Sequence, residues 1–237
     1  TIFIQMFIFI MFIINLVKKG QFNPWFKVHP ALLFTLSILF MTLVGGGLLM
    51  LPEMSTIRGG MPFIDALFTS MSSVSVTGLT TVDISESLTF KGQIVVMVLI
   101  KLGGLNTIAF GALMLVMAKL GVGIKYHEVI EDFVNKNSVL KARSMLFKIV
   151  LWASIIEIIG IILLYVGFGN EGVFADGKTR IFHSVFHGIS GFNNAGLTIL
   201  PGGMMHPDVI NNYFVHTVIM ILFFLGGLGM IYVFDSF

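Results

Sequence analysis

The chain has 237 residues, of which 56% are hydrophobic and only 11% charged, and its net charge is +2. Soluble domains carry about 25% charged residues, so this composition excludes an ordinary soluble domain and indicates a membrane protein. The basic residues fall between apolar stretches and make no nucleic-acid surface, and without cysteine there is no disulfide framework or thiolate metal site.

The first apolar run, Ile2 to Val17, lacks the basic leading region and small-residue cleavage site of a signal peptide and reads as the end of an upstream helix. At the other end Phe237 directly follows an apolar span, so both ends point to a piece of a longer polypeptide. Lys18, Lys19 and Lys27 lie in a polar stretch closed by Pro30, and Ala31 to Leu51 is predicted to cross about 30 Å of hydrocarbon. After a Gly/Pro-containing loop, Phe63 to Ser75 forms a segment too short to cross, as expected of a re-entrant helix, with Asp65 near its start. Gln93 to Ala118 is a full span, and the polar linker that follows has room for a surface helix in its middle.

The second half repeats the order. Met145 to Phe168 is predicted to span, a Gly/Asp-rich loop follows, Arg180 to Ser190 is a second short helix, and Tyr213 to Phe234 spans again. The expected organisation is an upstream helix end at 1–17, one unit at 28–118, a linker at 119–144 and a second unit at 145–237. Basic residues concentrate before Ala31 and in the linker (Lys119, Lys125, Lys136, Lys141, Arg143, Lys148), which the positive-inside rule places in the cytoplasm. Both units then point the same way, as parallel repeats with their loops entering from outside.

Each short helix leads into a glycine loop, and the two loops match. Val76-Thr77-Gly78-Leu79-Thr80 returns as Asn194-Ala195-Gly196-Leu197-Thr198, with Phe68 and Ser72 upstream matching Phe186 and Ser190. Irregular backbone at membrane depth is tolerated only when buried in protein or lining water. Glycine permits φ values that other residues avoid, so consecutive carbonyls can turn inward and replace an ion's hydration shell. The short helix aims its partially negative C-terminal end at the centre, which favours a cation. The neutral side chains there argue against a ring of carboxylates and for carbonyl coordination of a weakly hydrated ion such as K⁺. An extracellular turn is the bland reading of one such loop, and the matched second copy weighs against it.

The segments FTSMSSVSVTGLTTVD (Phe68 to Asp83) and HSVFHGISGFNNAGLTIL (His183 to Leu200) resemble the first two filters of the Trk/Ktr/HKT potassium-translocating subunits. The resemblance implies an all-α, potassium-channel-like fold built of four tandem span–pore helix–span repeats around one pore, of which this chain holds two. The third and fourth repeats, with a gating loop and a pore-facing arginine, have no counterpart in it. The resemblance further implies K⁺ held by the backbone of Val76, Thr77, Gly78 and Leu79 and of Asn194, Ala195, Gly196 and Leu197, with K⁺ the transported ion and no cofactor. It also implies a homodimer of complete subunits, a cytoplasmic nucleotide-binding regulatory ring, and a multi-pass place in the plasma (inner) membrane of a bacterium. In plant members, glycine in the first filter accompanies K⁺ transport and serine accompanies Na⁺ transport, so Gly78 implies K⁺.

Other candidates rank lower. Lys101 and Glu157 lie within spans, where a charge is costly; a structural pair joining the two halves is preferred over a transport role. His183 and His187 are spaced as two zinc ligands could be, but no third ligand is in evidence. Asp65 suits the helix start, and Asp83 suits a vestibule that attracts cations. The glycines of the two Leu-Gly-Gly-Leu segments, Leu102 to Leu105 and Leu225 to Leu228, are read as close-packing positions before hinges. The alternative function is a secondary transporter of another cation or small solute that uses the loops as broken helices. No Ser/His/Asp set or carboxylate pair suggests an enzyme.

Overall fold

A computed structural model describes residues 30–119, 136–170, 174 and 176–227. The run at 1–17, the middle of the linker and the end of the last span lie outside these residues. The chain divides into residues 1–35 and 36–237. Of the first unit only the opening turn of a helix is described, where the Thr35 hydroxyl donates to the Ala31 carbonyl at 2.9 Å.

Among the described residues the secondary structure is helical, with one isolated bridge between Ser55 and Leu88. Helix α1 (Pro30–Leu49) begins on a proline, whose missing N–H is no loss in a first turn. Pro52 follows its end, and the chain turns through 51–62 into α2 (Phe63–Val74). Asp65 sits in the first turn of α2, the favourable place for an anion against the helix dipole, and accepts the Thr81 hydroxyl at 2.7 Å. After the first glycine loop comes α3 (Ile84–Ser87), capped by Asp83, whose carboxylate accepts the Ser85 N–H at 2.8 Å. Helix α4 (Phe90–Lys119) closes the first half.

The second half runs α5 (Lys136–Asn170), α6 (Gly177–Phe192), the second glycine loop, a 3₁₀ turn (Gly203–Met205), α7 (Pro207–Ile210) and α8 (Tyr213–Gly227). Among the described residues three helical stretches are long and apolar enough to cross a membrane: Ala31–Leu49, Phe90–Gly111 and Phe147–Gly169. Helix α5 starts well before the expected Met145. Lys, Leu, Ala and Arg are good helix formers, so the coil continues past the apolar window that marks the span.

Helix α2 packs on α4, and α6 packs on both α5 and α8. Two apolar cores result. One joins Leu164 and Phe168 of α5 to Phe192, Val218 and Leu222. The other joins Ala66, Val96 and Ile100 of the first half to Phe186, Ala195, Leu197 and Ile199 of the second. The second glycine loop is therefore wedged into the core of the first half. Away from the loops, Lys91 pairs with Glu53 at 2.7 Å, and this holds the Glu53 carboxyl below its ordinary range. On the second half Arg180 donates to the Tyr165 carbonyl at 2.6 Å, with its guanidinium 4.0 Å from the centre of the Tyr165 ring.

Candidate functional site

The two glycine loops share left-handed residues at matched positions. Among non-glycine residues positive φ occurs at Val76 (57°) and Asn194 (60°), the matched positions of the two loops, and Gly78 (80°) and Gly196 (67°) follow two residues later. Such alternation turns successive peptide planes in a way that neither helix nor strand does. The helix ends match as well. The Thr77 N–H donates to the Ser72 carbonyl at 2.9 Å and the Ala195 N–H to the Ser190 carbonyl at 2.8 Å, each ending its helix in a wide turn.

The loops are neighbours. A Cβ on Gly78 would overlap the Ala195 carbonyl oxygen, so only glycine allows this approach, whereas nothing lies within 4 Å of a Cβ on Gly196. Beside them opens a cavity of about 390 Å³, lined by both glycines and by Thr80, Thr81, Thr198 and Asp83. Asp83 thus reaches the cavity, while the same carboxylate is committed to Ser85.

The long helices that follow each loop are seated on the short ones. A Cβ on Gly103 would overlap the Val74 carbonyl, and one on Gly226 would overlap the Phe192 carbonyl. Val74 and Phe192 are the last residues of α2 and α6. These glycines are contact points, as the small-residue pattern suggested.

Side-chain support differs between the loops. Ser190 Oγ donates to the Leu197 carbonyl at 2.6 Å. His187, 2% exposed, bonds the His183 carbonyl through Nδ1 at 2.8 Å and Thr198 Oγ1 through Nε2 at 2.9 Å. A carbonyl can only accept, so Nδ1 carries the proton, and in the neutral ring Nε2 accepts from Thr198. His183 stacks on Phe174 with centroids 4.2 Å apart. Among the described residues no group of three or more His, Cys, Asp or Glu could hold a metal ion. In the amide orientation that satisfies both its atoms, Asn194 donates to the Phe223 carbonyl at 2.7 Å and accepts from the Gly227 N–H at 3.0 Å.

The two charges within spans meet. Lys101 Nζ on α4 lies 2.5 Å from Glu157 Oε2 on α5, and Asn193 Nδ2 donates to Glu157 Oε1 at 3.1 Å. The pair joins the halves, the structural reading preferred from the place of both charges within spans. Its third member was missed, because Asn193 is separated from Glu157 by a loop and a helix and nothing local marks the contact. The role of Ser190 was missed for the same reason, although the Ser72/Ser190 match marked a shared position; that His187 hydrogen-bonds was expected of a histidine on the short helix, but its partner Thr198 was not.

Composition and helices define an all-helical membrane protein, and comparison with known proteins gives its family. Residues 48–237 match the TrkH family, described as a cation transport protein, and the chain belongs to that family. It is 31% identical over 219 residues to the Ktr system potassium uptake protein B of Bacillus subtilis, covering 92% of this chain and 48% of the relative. It is 35% identical over 205 residues to the potassium/sodium uptake protein NtpJ of Enterococcus hirae, covering 86% and 44%. A Ktr system potassium uptake protein B of Vibrio alginolyticus is 34% identical over 194 residues, covering 82% and 41%. The chain spans about half the length of these relatives.

Proposed function

We propose that this chain supplies two loops of a carbonyl-lined filter through which a membrane transport protein passes K⁺. The observation that carries the reading is the pair of neighbouring loops with left-handed residues at matched positions, Val76 and Gly78 in one and Asn194 and Gly196 in the other. Backbone of this form presents carbonyl dipoles without a formal charge, which suits an ion that sheds its water readily. The filter backbone comprises Val76 to Leu79 and Asn194 to Leu197, and the cavity beside it forms part of the entry. In the complete protein further loops finish the ring. Two such subunits pair in the plasma membrane, and a cytoplasmic nucleotide-binding ring controls them. The potassium uptake relatives support the choice of ion.

The test is Gly78→Ser in the complete protein, with K⁺ and Na⁺ uptake measured in cells that lack their own potassium transport. A side chain at Gly78 intrudes on the Ala195 carbonyl, so the expected result is a K⁺/Na⁺ ratio lower by about tenfold or more, equivalent to roughly 1.4 kcal/mol of discrimination. An unchanged ratio removes Gly78 from the filter.

A further inference from the structure

We infer that Glu157 is a positioning residue for the second loop, acting through Asn193; the inference rests on the filter reading above. Glu157 lies inside α5 and is 6% exposed. One carboxylate oxygen receives the Lys101 ammonium from α4 and the other receives the Asn193 amide. Asn193 is the cap residue of α6, and the next residue, Asn194, takes the left-handed turn that opens the loop. The same amide nitrogen also donates to the Ile189 carbonyl at 2.8 Å, within its own helix. Its oxygen occupies the space a Cβ on Gly104 would need, so α4 leaves room for this side chain. One amide is thus fixed by α4, α5 and α6 immediately before the loop.

Among the described residues the first loop has no such arrangement. The matched residue is Ser75, whose hydroxyl makes only local bonds, to the Met71 carbonyl at 2.7 Å and to Thr77 Oγ1 at 2.6 Å. A direct attraction of Glu157 for the passing cation is disfavoured, because Lys101 neutralises the carboxylate and both oxygens are occupied. What remains is geometry: a buried carboxylate is retained where each oxygen has a donor, and here one of those donors sets the loop.

The complete protein separates these roles. In Glu157→Gln the new amide must turn a donor toward either Lys101 or Asn193, and each already donates. Glu157→Gln and Asn193→Leu are each expected to lower the K⁺/Na⁺ uptake ratio per transporter in the membrane by roughly five- to tenfold, and together by no more than either alone. Adding Lys101→Met to Glu157→Gln lets the glutamine oxygen face Asn193 again, and the ratio should return to within about twofold of the wild type. Three results would overturn the inference: multiplicative losses, no rescue by Lys101→Met, or a change confined to protein abundance. If Glu157→Gln does not accumulate, the rescued pair is compared with Asn193→Leu. A normal ratio in the pair with a lowered ratio in Asn193→Leu supports the inference, and any other combination rejects it. Gly78→Ser runs in parallel. A normal ratio there rejects the filter itself, whereas a lowered one beside an unaffected Glu157→Gln rejects only the role of Glu157.

Discussion

In the second loop Ser190 holds the Leu197 carbonyl and His187 holds Thr198, whereas at the matched positions of the first loop Ser72 and Thr69 carry buried hydroxyls with no hydrogen-bond partner among the described residues. Leu197 is 3% exposed and its counterpart Leu79 is 62% exposed. Yet both loops carry positive φ at the same two matched positions, 57° and 60° at Val76 and Asn194 and 80° and 67° at Gly78 and Gly196. The shape therefore does not depend on the side-chain ties behind it. It follows from the wide turn at the helix end, the left-handed residues and the contact with the next long helix, all of which the two loops share. The ties set how firmly each copy is held.

That division can be broken from either side. The largest effect is expected where the loops are alike. Gly103→Ala and Gly226→Ala each force a methyl into a helix-end carbonyl, so both should destabilise the full-length protein by about 1–3 kcal/mol or more, to a similar extent. Thermal unfolding in detergent checks this, and a large loss at one site alone would show that the two seats are not equivalent. Next come the loop glycines. Alanine in the left-handed region costs about 1–2 kcal/mol at either position, but only Gly78→Ala also meets the Ala195 carbonyl. Gly78→Ala should therefore reduce K⁺ uptake more than Gly196→Ala, and the reverse order would contradict the packing of the loops. The smallest effect separates the ties. Ser190→Ala strips a donor from the Leu197 carbonyl and should cost about 1 kcal/mol, while Ser72→Ala removes a buried hydroxyl that bonds nothing among the described residues and should be neutral or slightly stabilising. Equal losses in the two variants, read from the same unfolding curves, would dissolve the distinction.

Much of this was legible in the residues. The duplicated Thr-Gly-Leu-Thr and Ala-Gly-Leu-Thr segments marked the loops, and the short, moderately apolar segment after the Gly/Pro-containing loop placed α2 to within a residue at its end. Asn194 announces a left-handed position, because asparagine tolerates it. Val76 does not, since a β-branched residue is among the least expected there, and only its match to Asn194 in the second copy points to the turn. The start of α5 was hidden because hydropathy marks where lipid begins, not where a helix does. The partners of His187, Ser190 and Asn193 were hidden because a hydrogen bond across a loop leaves no periodic trace in the chain.

The seats at Gly103 and Gly226 carry a mechanical consequence. A helix whose backbone rests directly on the last carbonyl of its neighbour cannot slide or rotate there without displacing that peptide. The displaced peptide lies two residues before the left-handed turn in each loop. Movement of α4 or α8, from whatever cause, is thus geared to the loops with no flexible side chain between to absorb it.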